Sequence, residues 1–258
     1  MSQISPDARV HPDAKLANDV TVGPFSTIGA DVEIGAGTVV RSHVVIEGHT
    51  RIGANNDFKQ FCSIGAEPQH KAYKGEPTRV EIGDRNVFRE FVTVHRGTTL
   101  DNSLTAIGSD NLLMAYSHIA HDCSVGDHVT MANGASLAGH THVEDYCILG
   151  GFALIHQFCR IGEGAFIGYG SGVSKDVPPF VMASGYPAAP HGINAEGMRR
   201  RAFSAEEIDS MKEAYRVLYR SNLRLVEAQE KLAERVDSCR AVRQFHEFLS
   251  GSKRGILR

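Results

Sequence analysis

These 258 residues contain no tryptophan and no long apolar run. The longest largely apolar stretch, Cys147 to Ile155, is far short of the ~20 residues that a membrane-crossing helix needs. Neither charge sign dominates: 27 Lys and Arg stand against 30 Asp and Glu. The chain therefore lacks the basic footprint of a nucleic-acid binder. Five cysteines (Cys62, Cys123, Cys147, Cys159, Cys239) include no CxxC pair, so neither a zinc knuckle nor a disulfide framework is expected. The start, MSQISPDARV, has no basic residues followed by an apolar run. No signal peptide is expected, and a cytoplasmic protein is. At 42% hydrophobic and 22% charged residues, the chain is not a disordered one.

What the chain has in excess is glycine, with 26 residues, and a period. An aliphatic or aromatic residue recurs every six positions: Val10, Leu16, Val22, Ile28, Ile34, Val40, Ile46, Ile52, Phe58, Ile64, then Ile82, Phe88 and Val94. After a slip of one the series resumes at Ile107 and runs unbroken to Val173. Four residues after each anchor sits a small or slim residue, such as Ser26, Thr38, Asn56, Cys62, Ala135 or Cys159. Four of the five cysteines occupy that slot and read as core filler. Glycine often follows the anchor, as at Gly23, Gly35, Gly53 and Gly83, where the reading expects a corner that needs positive φ. A period of six suits neither a helix nor an alternating strand. It suits a solenoid of short strands, three hexads to an 18-residue coil, with anchors and small residues inside. The expected fold is mainly β: a parallel β-helix over residues 1–189, with a C-terminal α-helical domain over 190–258.

Two stretches break the repeat, 66–79 and 95–106, both rich in Gly, Pro, charge and polar groups. They read as loops thrown out from the coils. Past Val173 the period changes. Ser204 with Glu207 three residues on forms a capping box, followed by an apolar stripe of Ile208, Met211, Tyr215, Leu218 and Tyr219. A second helix is expected around Leu225, Ala228, Leu232 and Val236, and a third around Val242, Phe245 and Leu249. Residues 190–258 carry 14 Lys or Arg against 10 Asp or Glu, so a basic domain sits on an acidic solenoid and suggests an anionic ligand or partner.

Seven of the 13 histidines fall within 95–156, a density that points to metal binding or proton chemistry. By hexad position His118, His121, His140 and His156 avoid the interior slots. Adding 18 residues gives the neighbour on the next coil: His121 leads to Gly139 and then Gln157, and Asp122 leads to His140. An imidazole beside a bare glycine amide suits attack on a carbonyl, with a base for the proton and an N–H for the oxyanion. A metal site competes with this reading. The γ-class carbonic anhydrases share the solenoid, but their paired ligands resemble His-x4-His, whereas this chain has His118-x2-His121. No metal and no cofactor are expected.

The runs HIAHDC (118–123), LAGH (137–140), IHQF (155–158), HRGT (95–98) and NxEGxxRR (194–201) together resemble the UDP-N-acetylglucosamine O-acyltransferase family, over essentially the whole chain. The resemblance implies a left-handed β-helix in a homotrimer with sites between subunits. It implies a cytosolic enzyme that begins lipid A synthesis, moving a (R)-3-hydroxyacyl group from acyl carrier protein to the 3-hydroxyl of UDP-N-acetylglucosamine. On this likeness His121 is the general base, Gly139 holds the oxyanion, and Asp122 tunes the base or is structural. His95, His118, His140, His156 and Gln157 line the sugar-nucleotide pocket. Arg200 and Arg201 contact the phosphates, and Asn194 and Glu196 contact the nucleotide or the loop beside it. Tyr169, near the end of the acyl groove, is expected to limit acyl-chain length. The first loop departs from the family's PQDxKYxGE: His70 replaces the acidic residue and Ala72 the lysine. The sequence thus leaves open whether the acceptor is a 3-hydroxyl, a 3-amino group or a different UDP-sugar. Transfer to an amino group and a non-catalytic solenoid are the other readings. The basic helices, with Lys253, Arg254 and Arg258, are expected to dock the acidic carrier.

Overall fold

The computed structural model describes residues 3–237 and 239–258. Short strands, mostly of two residues, follow the hexads and stack into three parallel faces. Face 1 has eleven strands, from Gln3–Ile4 onward, face 2 nine from Arg9–Val10, and face 3 eight from Lys15–Leu16. The coil length appears directly in the register: Thr21 pairs with Val39, and Val39 with Asp57. The result is a left-handed parallel β-helix, a triangular prism with three edges. Where loops intrude the register lengthens, so that Asp57 pairs with Val87 and Val87 with Leu112. The loops themselves run between the strands Ser63–Ala66 and Arg79–Ile82, and between Thr93–His95 and Leu104–Ile107.

The prism interior is a single column of anchors, each at most 4% exposed from Val22 through Val173. In the small slots, buried polar groups bond the coil above. Asn56 donates to the Gly83 carbonyl, Asn86 to Gly108 and Asn111 to Gly126. An interior amide left unpaired would cost about 1–3 kcal/mol, so this ladder explains why asparagine is tolerated there. The four core cysteines are inert: burial raises the thiols of Cys62 and Cys123 to about 12.

Most glycines directly after an anchor do not serve the corners as expected, Gly65 at φ 78° excepted. Positive φ falls three residues after the anchor, on Phe25, His43, Phe61, Phe91, Tyr116, Asp122, His140 and Phe158 among others. Glycine after the anchor answers a different need. A Cβ at Gly35 would lie 2.6 Å from the Gly53 carbonyl carbon on the next coil, a contact that no side chain survives. The corner residues offset their αL strain by stacking. Phe25, His43, Phe61, Phe91 and Tyr116 form a ladder along the edge between faces 1 and 2, with ring centroids 4.9–5.1 Å apart.

The final strands, Val181–Ser184 and Ala189–Ile193, form an antiparallel pair that carries β structure past residue 189. Four helices follow: α1 (Ala195–Arg200), α2 (Ala205–Tyr219), α3 (Leu225–Ala233) and α4 (Arg240–Gly251). The Ser204–Glu207 capping box opens α2, while Val236 lies beyond the end of α3. Among the described residues no helix is long and apolar enough to cross a membrane.

Candidate active site

The edge between faces 2 and 3 brings several of the expected site residues together. His121, Gly139 and Gln157 follow one another on it, each the first residue of a two-residue corner. The backbone bond from His140 N–H to the His121 carbonyl (3.1 Å) fixes the first two rungs. The His121 imidazole lies over Gly139 so closely that a Cβ there would meet its Cε1 at 2.6 Å and its Nε2 at 2.8 Å. Among the described residues nothing accepts the Gly139 N–H. A ring nitrogen and a free amide thus share one opening. A cavity of about 340 Å³ lies against them, lined by Gln69, His95, His118, Ala120, Ser136 and Leu154 among others.

Behind the imidazole sits Asp122, its side chain wholly buried. One carboxylate oxygen accepts His121 Nδ1–H at 2.8 Å and the Thr98 hydroxyl at 2.7 Å. The other accepts the Thr98 amide at 2.8 Å. Burial pushes this carboxyl up, and the hydrogen bonds from His121 and Thr98 more than offset it, leaving it below the ordinary carboxylate value. With Nδ1 tied to an ionised acid, the Nε2 lone pair of His121 is the one that faces the cavity.

The neighbouring imidazoles are built differently. His118 bonds the Thr93 hydroxyl at 2.8 Å, and burial, with His95 and His121 nearby, lowers its pKa to about 4. Burial lowers His95 too, and its Nδ1 is buried without a protein partner. Both rings are neutral at pH 7. His140 stacks on Phe158 (4.5 Å) and meets His121 edge-on at 5.2 Å. Its Nδ1 bonds Asp101 at 3.1 Å, while Asp122 lies 3.8 Å from its Nε2. The coil count pairs Asp122 with His140, yet the shorter bond of that carboxylate is to His121. His121, Asp122 and His140 present donor atoms within 4.8 Å of one another, close enough for a cation. Both oxygens of Asp122 already accept N–H or O–H donors, however, so the carboxylate is engaged in orienting His121.

Other expected site residues lie elsewhere. His156 is exposed and bonds Arg254 at 2.9 Å. Gln157 is exposed on the same edge. Asn194 is 8% exposed and spent inside the protein: its oxygen caps α1 by accepting Gly197 N–H at 2.9 Å, and its amide donates to the Gly164 carbonyl at 3.0 Å. These two bonds position α1. Arg201 is likewise engaged, paired with Glu163 and lying 3.9 Å over the Tyr146 ring, so its expected phosphate contact is not supported. Arg200 is 75% exposed and shares Glu196 with Arg199. These residues stand on the edge between faces 3 and 1, a full face away from His121. Arg258 folds back onto the Leu218 carbonyl at the end of α2 (2.9 Å), and Arg254 is taken by His156 and the Ser174 carbonyl. Sequence reasoning missed Thr98 as the orienter of Asp122, and Asp101 altogether; HRGT was the available signal for the first.

The comparisons agree on one family. A model described as UDP-N-acetylglucosamine O-acyltransferase, domain 2, matches residues 176–257. Bacterial transferase hexapeptide repeats match 13–48 and 105–139. An acyl-[acyl-carrier-protein]–UDP-N-acetylglucosamine O-acyltransferase of Halorhodospira halophila is 55% identical over 209 residues, covering 81% of each chain. A Francisella novicida UDP-N-acetylglucosamine acyltransferase structure superposes with TM-score 0.97 at 43% identity, covering 99% of this chain and 94% of its own. A Moraxella catarrhalis UDP-N-acetylglucosamine O-acyltransferase structure gives 0.96 at 46% identity, covering 99% of both. The chain belongs to the UDP-N-acetylglucosamine O-acyltransferase family. It is an acyltransferase, and at the His121–Gly139 edge a base and a free amide meet at a cavity.

Proposed function

We propose that the chain transfers a (R)-3-hydroxyacyl group from the phosphopantetheine thioester of acyl carrier protein to the 3-hydroxyl of UDP-N-acetylglucosamine, the opening step of lipid A synthesis in the cytoplasm. His121 Nε2 takes the hydroxyl proton while the oxygen attacks the thioester carbon. The carbonyl oxygen becomes an oxyanion and accepts the Gly139 N–H. Collapse breaks the C–S bond, and the thiolate takes the proton back from the imidazolium. Asp122 stabilises that imidazolium and fixes its tautomer, as the buried acid of a triad does. His95, His118 and His140 line the sugar pocket. No metal or cofactor takes part. The observation that carries this reading is the His121 ring seated over an uncommitted glycine amide.

The rest of the site comes from a second copy in this reading. Arg200 and Glu196 stand on a different edge from His121, so one chain cannot close both around one ligand. A homotrimer that sets one subunit's 3/1 edge against its neighbour's 2/3 edge completes the pocket, with Arg200 toward the diphosphate. The exposed aromatic ladder of Phe25, Phe61, Phe91 and Tyr116, each 42–63% exposed, suits burial between copies. The acyl chain runs along face 2 past Leu154, which is 49% exposed. There the Tyr186 ring fills the slot above Gly172, where a Cβ would lie 2.4 Å from it. Tyr169, 87% exposed on the adjoining edge, flanks that end of the groove and limits chain length from the side.

Mass spectrometry of products from a panel of acyl carrier donors and UDP-sugars tests the reading. A 3-O-acylated UDP-N-acetylglucosamine supports it. Product with free acetyl donors alone, or none with any acyl carrier, overturns it.

A further inference from the structure

The His95–Thr98 segment meets the site at both of its ends. His95 lines the cavity, and Thr98 holds the Asp122 carboxylate. Between them Arg96 reaches the loop that joins Ser63–Ala66 to Arg79–Ile82, and the proposed reaction does not use it. Its side chain is 12% exposed, which is uncommon for a cation, and two glycines make room for it. Gly48 lies in the left-handed region at φ 64°, and a Cβ there would stand 2.6 Å from Arg96 Nη1. The pairing of Ser63–Ala66 with Thr93–His95 slips at Gly65, which has φ 78°. A bulge beside a site can re-aim a group. Here the group is the Gly65 carbonyl, which accepts Arg96 Nη1 at 2.7 Å.

The other arm of the guanidinium enters the loop. Nη2 donates to the Tyr73 hydroxyl at 2.8 Å, and that hydroxyl donates onward to the Glu76 carbonyl at 2.9 Å. The guanidinium carbon lies 5.6 Å from the Tyr73 ring centroid, and Glu67 Oε1 is 3.7 Å from Nη2. Tyr73 N–H donates to the His70 carbonyl at 3.0 Å. The tyrosine thus joins Arg96 to two residues beside the base: Gln69 lines the cavity, and the His70 ring stands 5.2 Å from His121. Backbone bonds tie both stems of the loop to the same segment, Arg96 N–H to the Ala66 carbonyl at 3.1 Å and Gly97 N–H to the Arg79 carbonyl at 3.3 Å. Near the loop's midpoint, between those stems, the guanidinium takes hold of Tyr73. A planar guanidinium gives two acceptors separate nitrogens at a fixed spacing, which a lysine ammonium does not.

We infer that Arg96 is a positioning residue, a clamp that sets this loop over the His121 cavity and so governs acceptor binding. The inference rests on the acyl-transfer reading above and adds a link between the loop and the segment that orients the base. The effect of Arg96 passes through Tyr73 and the loop backbone. Thr98 keeps its own bonds to Asp122 when the Arg96 fork is cut, so the chemical step survives once the acceptor is bound. The loss falls on binding.

Steady-state kinetics of the native chain, Arg96→Lys and Tyr73→Phe test this, with UDP-N-acetylglucosamine and one acyl carrier donor varied in turn. KM for the sugar nucleotide should rise roughly tenfold in Arg96→Lys, the scale of one lost charge-assisted hydrogen bond. Neither kcat nor KM for the donor should move with it. Tyr73→Phe should shift the same constant in the same direction, and the double variant should be no worse than Arg96→Lys, because both changes cut one link. Hydrogen exchange adds a readout free of turnover. Amides of 67–78 should exchange faster in both variants, while those of solenoid strands such as His118–Ile119 keep their native rates. An unchanged acceptor KM in both folded variants overturns the inference. So does a fall in kcat with native KM values, or faster exchange throughout the solenoid. Absence of turnover by the native chain would instead overturn the acyl-transfer reading, and loop exchange would still report on the clamp.

Discussion

Asp122 sits in the left-handed region at φ 59°, an uncommon place for a non-glycine residue, with its carboxylate buried between Thr98 and His121. The strain is repaid by hydrogen bonds from three donors to the two oxygens, and the consequence is a single tautomer at His121. His118, one strand before it, works by the opposite means, since desolvation keeps its ring neutral. The sign of that effect can be followed in solution. A histidine whose folded pKa is depressed to about 4 binds its proton less readily folded than unfolded. Its contribution to stability is whole above about pH 6.5 and is lost as pH falls toward 4. Thermal melts should therefore show stability falling across that window, and His118→Gln should shrink the fall. Identical acid limbs in the two proteins would contradict the burial argument. At this scale the sequence was informative where residues follow the 18-residue count, as with His121 over Gly139. It was uninformative where an insertion breaks the count. Thr98 and Asp101 reach Asp122 and His140 from a loop, and no spacing rule relates them.

Strands of two residues carry almost no propensity signal, yet the six-residue period located nearly all of them, because it is set by which positions can enter a narrow prism. The period says nothing of the Ser204 cap, which the spacing to Glu207 located instead. It did not locate α1, six residues long and mostly polar, whose start is fixed by Asn194 bonding to a distant coil. Nor did it give the reason for the glycines, which depends on the distance between coils rather than on the corner's own geometry. The helix-borne Arg201 was read as a ligand contact because a guanidinium fork suits phosphate. The solenoid instead supplies Glu163 and the Tyr146 and Phe180 rings for it, and Phe203 adds a third from the turn after α1. In the proposed acyl groove two elements set the end, the corner holding Tyr169 and the strand pair holding Tyr186. Tyr169→Gly should shift donor preference toward longer acyl chains in a competition assay read by mass spectrometry. An unchanged chain-length profile would leave Tyr186 as the stop and remove Tyr169 from the groove.

For the whole molecule the decisive fact is that the two halves of the proposed site stand on different edges of one prism. Co-expression of His121→Ala chains with Arg200→Ala chains should restore activity, because a mixed trimer can form an opening with both native residues. Random assortment should return roughly a quarter of the native rate, while each variant alone stays low. Restoration of nothing would place the full site within one chain and contradict the shared-edge arrangement.

The central claim is that the His121 imidazole removes the acceptor proton over the Gly139 amide. Its most direct test is the single-turnover rate of His121→Ala with saturating acyl carrier donor and UDP-N-acetylglucosamine. Removal of a general base should slow that step roughly 10²–10⁴-fold, with the melting temperature and assembly mass of the native protein retained. A folded variant that acylates its acceptor at the native rate would contradict the account.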